Sequence, residues 1–213
     1  RALFEHWTHD ASVIPVDWFP HWRHRSKRFL ESSSIKQWVD TRLGDNPKKV
    51  LRETRRRIEK EGPLRSRDFE PPVRGRDTGW WRWKPHKAAL EYLWWSGEQC
   101  VSARERFEKV YDFTPRTHPD HHEKATPPSE ETIEAVCGES IDRIGVGTAA
   151  EIAAFYALVS LPEARAWCKR ELAAGQLVTV RVTDRAGAKA PGPIYARPDL
   201  EARIRKAQRA SAG

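Results

Sequence analysis

Positively charged side chains crowd one stretch in the first half of the chain, and three tryptophans lie among them. The cations are Arg52, Arg55, Arg56, Arg57, Lys60, Arg65, Arg67, Arg74, Arg76, Arg82, Lys84 and Lys87, and the tryptophans are Trp80, Trp81 and Trp83. Arginine and lysine bind phosphate oxygens, and an aromatic ring can stack on a base, so this combination is typical of a nucleic-acid surface. A run of charge is also the ordinary composition of a solvated face, and that interpretation stays open.

The overall composition agrees with a folded, basic protein. The 213 residues include 38 Lys and Arg against 30 Asp and Glu, a net charge of +8, and ten tryptophans exclude a disordered chain. Residues 1 to 100 hold 21 cations against 14 acids (+7), whereas residues 101 to 213 hold 17 against 16 (+1), so the basic character belongs to the first half. No apolar run approaches the roughly 18 residues of a membrane span, and we expect a cytoplasmic protein.

Other catalytic and metal-binding classes lack their motifs. The chain has no glycine-rich phosphate loop, no Gly-x-Ser-x-Gly and no His-Glu-x-x-His. The sequence therefore gives no support to an ATPase, a triad hydrolase or a metalloprotease. Cys100, Cys137 and Cys168 form no Cys-x-x-Cys, so we expect them to be reduced and buried. The clustered histidines lack a cysteine pair, and neither a metal nor a cofactor is expected.

Capping residues and the periodicity of apolar residues predict the helices and strands that carry the basic residues. Asn46-Pro47 starts a helix that Gly62-Pro63 ends, and Ser66 caps a short second helix. Lys84-Pro85 starts a third helix that Gly97 closes, and residues 101–113 alternate as a β-hairpin with its turn at 104–106. Helix, short helix, helix and hairpin is the order of a winged helix, predicted for residues 46–113.

The same order begins again after a proline-rich stretch. Residues 114–128 are predicted as a linker, and residues 129–197 as a second winged helix whose middle helix has the capping box Thr148 and Glu151. Residues 1–45 suggest an extended segment and one or two helices that connect from an upstream domain, and residues 198–213 are a tail. The predicted fold class is mainly α with small β-hairpins (α+β), as tandem winged helix-turn-helix domains.

A winged helix lays its third helix in the major groove of DNA, and its hairpin contacts the backbone or the neighbouring minor groove. The candidate DNA-binding residues are therefore Arg82, Trp83, Lys84, His86 and Lys87 at the start of that helix, and Arg104 and Arg106 at the hairpin turn. Most of the tryptophans are expected in the core, and Trp83 is the one considered at the DNA surface.

Two segments resemble one known family. Residues 4–15, FEHWTHDASVIP, and residues 79–94, GWWRWKPHKAALEYLW, are similar to two signatures of the bacterial AlkZ/YcaQ winged-helix DNA glycosylases, in the same order. The resemblance implies tandem winged helices with a small C-terminal β-barrel and no cofactor. It also implies hydrolysis of the N-glycosidic bond, which excises alkylated bases and unhooks interstrand crosslinks.

The chain departs from the family at the catalytic motif. The family carries Gln-x-Gln or Gln-x-Asp before the first signature, but none of the glutamines here has Gln or Asp two residues on. No catalytic residue is therefore assigned, and no barrel is evident after Pro198, so we expect an internal piece of a longer glycosylase. His9, Asp10 and Ser12 match the first signature as possible residues of the active-site cleft, although His9 and Ser12 could equally hydrogen-bond a turn.

Three hypotheses about function remain at this point. The leading one is the DNA-binding portion of a monomeric DNA glycosylase, which binds damaged or distorted duplex DNA and by itself releases no base. The alternative is a non-enzymatic winged-helix transcriptional regulator, which would dimerise on two-fold related half-sites. The third is a helical domain that binds a protein partner and whose basic face never contacts nucleic acid.

Overall fold

The structure, a computed structural model, describes residues 2–8, 10–69, 85–181 and 192–211. The chain divides into two units. The first comprises Arg1–His6 and Ser12–Thr126, and the second comprises Trp7–Ala11 and Pro127–Gly213. No helix within the described ranges is long and apolar enough to cross a membrane.

The first residues form a pair of strands followed by two helices. These are β1 (Leu3–Trp7), β2 (Ala11–Pro15), a 3-10 turn (Val16–Trp18), α1 (Phe19–Glu31) and α2 (Ser33–Arg42). Aromatic side chains hold this part together, because the Phe4 ring meets the rings of Phe19 and Trp22 edge to face at centroid distances of 5.3 and 5.5 Å. The extended segment and helices predicted within residues 1–45 are therefore present.

The basic half folds as helices with a three-stranded antiparallel sheet. Its elements are α3 (Pro47–Glu61), β3 (Leu64–Arg65), a 3-10 turn (Ser66–Phe69), α4 (Pro85–Trp95), β4 (Gln99–Glu105) and β5 (Glu108–Phe113). The Asn46 side chain accepts a hydrogen bond from the Lys49 N–H at 3.0 Å, as expected for the cap of α3. In the sheet β5 lies between β3 and β4, and Ala88, Leu90 and Leu93 of α4 are buried in the core.

The hairpin turn lies further along the chain than the sequence predicted. We expected residues 104–106 to form it, but Glu105 pairs with Glu108, so Arg106 and Phe107 are its two central residues and Arg104 belongs to β4. A two-residue turn matches the twist of the strands that it joins better than a longer connection that breaks the pairing earlier. Arg106 therefore lies at the tip, and Arg104 does not.

The segment predicted as a linker contains helical turns. Residues 114–128 include α5 (Thr114–Thr117) and α6 (Pro119–Glu123). Pro115 and Pro119 stand in the first turns of these helices, where a missing N–H costs nothing, so the prolines that suggested a linker instead start helices. Thr114 donates a hydrogen bond to the Gly97 carbonyl at 2.8 Å, and this ties the segment to the first unit.

The second unit repeats the order of elements. It contains α7 (Ser129–Ile144), β6 (Val146–Thr148), α8 (Ala149–Tyr156), α9 (Leu161–Ala173), β7 (Val178–Val180), β8 (Ile194–Ala196) and α10 (Leu200–Ser211). Strand β8 lies between β6 and β7, as β5 does between β3 and β4. The predicted capping box of Thr148 and Glu151 is confirmed, and Ser160 and Glu163 form another at the start of α9.

The three cysteines are buried, as predicted, and none of them forms a disulfide. Burial raises the pKa of Cys137 to about 12 and that of Cys168 to about 11, because a thiolate is poorly solvated in the core. These two thiols are packing groups and not nucleophiles.

Candidate nucleic-acid interface

The start of α4 and the β4–β5 hairpin carry the candidate site. Helix α4 buries its alanine and leucine face and leaves Lys87 exposed in its first turn. The turn at Gly97, with a φ of +80° that favours glycine, then leads directly into β4. Of the seven predicted DNA-binding residues, Arg82, Trp83 and Lys84 lie outside the described residues.

The predicted contact at His86 is a packing contact in the structure. Its ring is half-buried, stacks on Phe69 at a centroid distance of 5.2 Å, and lies with Nδ1 3.1 Å from the Thr54 hydroxyl. Burial lowers the pKa of His86, and the charge of Arg57 lowers it further, against an opposing effect of Glu53. A neutral, half-buried ring adds no positive charge to a phosphate site, so we do not count His86 among the cations of the site.

His86 also sets an expected dependence of stability on pH. Its pKa is lowered in the folded chain and ordinary, 6.5, in the unfolded chain, so the unfolded chain binds the proton more readily. Stability from this group is therefore complete above pH 6.5 and decreases as the pH falls from 6.5 towards the lowered folded pKa. We expect the urea concentration at the midpoint of unfolding to decrease when the pH is lowered from about 7.5 to about 5.5. The decrease should be smaller in His86→Phe than in the unmodified chain.

The exposed His122 provides the matched control for that measurement. His122→Gln should keep the pH dependence of the unmodified chain. An unchanged pH dependence in His86→Phe would show that another group causes it.

Arg104 is held by an acidic neighbour. Its guanidinium donates to both carboxylate oxygens of Glu5, at 2.9 and 2.6 Å, and Nη1 donates to the carbonyl of Phe107 at 2.6 Å. The hydrogen bond to Glu5 is the main reason that the pKa of Arg104 is raised. Glu5 therefore competes with DNA phosphate for the Arg104 guanidinium. In the structure this arginine stabilises the hairpin within the first unit.

Lys87 and Arg106 are the predicted cations that remain available. Both are exposed, and neither forms an ion pair within the ranges that the structure describes. Lys109 of β5 lies over the Trp94 ring of α4, with Nζ 3.5 Å from the ring centroid, so the hairpin and α4 are in contact there. The pKa of Lys109 is lowered first by burial and then by the charges of Arg104 and Lys87, so the start of α4 and the hairpin lie close enough to share one electrostatic environment.

Four of the six arginines of the basic stretch that the structure describes pair with acidic residues. Each of the following pairs has an N–O distance of 3.0 Å or less: Arg55 with Glu98, Arg57 with Glu61, Arg65 with Asp68 and Glu105, and Arg67 with Glu108. The pairs Arg57–Glu61 and Arg65–Asp68 are local in sequence, four and three residues apart, whereas Arg55–Glu98, Arg65–Glu105 and Arg67–Glu108 join distant residues. The number of arginines in this stretch therefore overstates the number of cations that are available to a phosphate.

Arg52, Arg56 and Lys60, which belong to the basic stretch, form a row on α3 together with Lys48, and this row was not recognised from the sequence. Lys48, Arg52, Arg56 and Lys60 recur every four residues and are all exposed, and none has an ion pair among the described residues. Spacing of four places them on one side of the helix. The signal was visible in the sequence but was obscured by the neighbouring Arg55 and Arg57, which are paired.

The residues of the first signature lie where β1 turns into β2. Asp10 accepts a hydrogen bond from the Ala11 N–H at 2.7 Å through its side chain, and its carbonyl accepts one from the Thr8 N–H at 2.8 Å. Ser12 lies half-buried on β2, and His9 is outside the described residues. The Asp10 contacts are those of a turn, and a role in a cleft stays a prediction.

Comparisons with known proteins identify a matching family and a similar structure. A family model described as DNA glycosylase AlkZ-like matches residues 1–211. The structure is also similar to that of Streptomyces sahachiroi DNA glycosylase AlkZ, with a TM-score of 0.53 and 13% sequence identity. The match covers 96% of this chain and 54% of that one, so the chain spans about half the length of its structural relative.

Proposed function

Because the chain belongs to the AlkZ-like DNA glycosylase family, we propose that it is the DNA-binding portion of a glycosylase that excises alkylated bases and unhooks interstrand crosslinks. The observation that carries the proposal is the pair of exposed cations Lys87 and Arg106, one on the first turn of α4 and the other at the adjoining hairpin tip. Neither has an acidic partner among the described residues, so both are available to phosphate.

We propose further that residues 46–113 and 129–197 are tandem winged helices. The support is the order of elements, repeated in both units, and the strand order in which the last strand lies in the middle of each sheet. In this assignment α4 is the helix that enters the major groove and β4–β5 is the wing. Residues 114–128 would then close the first domain, and residues 198–213 remain without a role.

The row of cations on α3 supports contact with a longer stretch of backbone. Helix α3 rises 1.5 Å per residue, so a cation every four residues is repeated about every 6 Å along the helix axis. With Lys87 and Arg106 this gives about six phosphate contacts. The second unit adds less positive charge, because Arg143, Arg170, Arg197 and Arg203 all pair with acidic residues.

The test is binding of the chain to a fluorescent duplex, with and without alkylated purines, followed by anisotropy as salt is raised. For about six contacts, the logarithm of the affinity should fall with the logarithm of salt at a slope near −5. We expect a monomer in light scattering, and tighter binding to damaged or bent duplex than to intact duplex. Binding that does not depend on salt would contradict the proposal.

The same reactions test for base release. Because the chain lacks Gln-x-Gln and Gln-x-Asp, we expect binding of alkylated duplex without formation of abasic sites. Abasic sites formed by this chain would show that other residues can activate water. In that case Asp10 and Ser12 are the first to replace, because they match the family's first signature together with His9.

A further inference from the structure

The two residues at the tip of the β4–β5 hairpin have an unusual backbone conformation. Arg106 has a φ of 47° and Phe107 a φ of 68°, both in the left-handed region. Two-residue turns of this kind normally contain asparagine and glycine, because a side chain at positive φ approaches its own backbone. A bulky residue there costs on the order of 1 kcal/mol, and strain of this kind is concentrated at functional sites.

Phe107 is also exposed far more than an apolar side chain usually is. Its exposed fraction is 94%, the highest among the exposed large apolar residues of the described ranges, and its carbonyl is held by Arg104. Leaving a phenylalanine in water forgoes roughly 1.5–3 kcal/mol relative to burying it. Strain and exposure thus coincide at one residue, and folding explains neither.

The surroundings of Phe107 make the tip a rigid projection. Arg65 pairs with Glu105 at 2.5 Å and Arg67 pairs with Glu108 at 2.5 Å, so both strand ends are braced from β3 and the 3-10 turn. These pairs also neutralise the two carboxylates beside the tip, which would otherwise repel a polyanion. The charge left at the tip is that of Arg106.

Building on the proposed DNA-binding function, we propose that Phe107 is a wedge that enters between two stacked base pairs of duplex DNA from the minor groove while Arg106 contacts the adjacent phosphate. Apolar side chains used in this way partly unstack a base step and kink the duplex, and the bend brings more protein surface into contact. A wedge must project and present an apolar face, and Phe107 does both. Ion pairs at both strand ends support the turn that carries it.

The experiment uses a duplex with 2-aminopurine at central positions, whose fluorescence rises when the base is unstacked. The unmodified chain should raise the fluorescence on binding. Phe107→Ala should abolish the rise and weaken binding about tenfold, with the salt slope unchanged, because stacking is lost while phosphate contacts remain. The matched control is Ile204→Ala, which removes another exposed apolar side chain, 47% exposed, and should change neither readout.

Phe107→Gly separates the wedge from an effect on folding. Glycine suits a φ of 68°, so this variant should unfold at the temperature of the unmodified chain or above it, while losing the fluorescence rise. Loss of the rise together with lower thermal stability would assign Phe107 a structural role and overturn the proposal.

The remaining outcomes separate this inference from the function on which it depends. Salt-dependent binding by the unmodified chain with no fluorescence rise, or with equal affinity in Phe107→Ala, would overturn the wedge and leave the DNA-binding function standing. No DNA binding by the unmodified chain would overturn both. Self-association that Phe107→Ala abolishes, without any effect on DNA, would assign the exposed ring to a protein contact instead.

Discussion

We expect that replacing Lys87 and Arg106 together by glutamate weakens binding of the chain to duplex DNA about 100-fold at near-physiological salt, or about tenfold per contact. Each replacement removes a cation that has no acidic partner among the described residues and puts a carboxylate where a phosphate would lie. The salt slope should become less steep by about two, since two fewer counterions are released. Anisotropy measured at several salt concentrations checks both values.

Controls for this variant must change net charge equally. Lys206→Glu with Arg209→Glu reverses two exposed cations on α10 and should leave affinity within about twofold. Arg104→Gln, which lowers the net charge by only one, is a separate comparison and should have a small effect, because the Arg104 guanidinium is already bound by Glu5. Equal losses in the Lys87 and Arg106 variant and in the Lys206 and Arg209 variant would mean that net charge, and not the α4 and hairpin surface, determines binding.

The largest expected loss of stability is at Trp167. Replacing it by alanine should lower the free energy of unfolding by about 3–5 kcal/mol, because the side chain is completely buried within the second unit and its loss leaves a cavity. The indole N–H donates to Glu134 at 2.9 Å, so one hydrogen bond is lost as well. Urea unfolding followed by circular dichroism measures the change.

Trp167→Phe separates the two contributions. It keeps most of the ring volume and removes only the indole donor, and Glu134 remains paired with Arg170. We expect a loss of about 1–2 kcal/mol for this variant. A loss below about 1 kcal/mol in Trp167→Ala would show that the core around α9 closes over the missing side chain, contrary to the packing described here.

Local chemistry explains which elements could be predicted. The start of α3 at Asn46-Pro47, the start of α4 at Pro85 and the cap of α8 at Thr148 all depend on residues within one turn of each other. Such signals lie within a short stretch of sequence, so the order of elements followed from them. The helical turns of residues 114–123 were missed because proline begins helices as readily as it interrupts them.

The site was harder to predict than the fold because its arginines pair with acidic residues that are distant in the sequence. Arg104 and Glu5 are 99 positions apart, and Arg65 and Glu105 are 40 apart, so no spacing rule pairs them. His86 was predicted to bind DNA from its place at the start of α4, but its ring stacks on Phe69, which another element contributes. Phe107 was overlooked because the turn was placed one to two residues too early.

The ion pairs within the first unit bear on how long the chain stays on any one stretch of DNA. In the proposed DNA complex, arginines that are already paired with acidic residues displace few counterions, so undamaged duplex would be held only through the exposed cations. A loosely held protein hops and slides, and inspects many positions before it dissociates. Under the proposed function, strong retention is then expected for duplex that is already easy to deform, because chemical damage weakens the stacking that normally resists a kink.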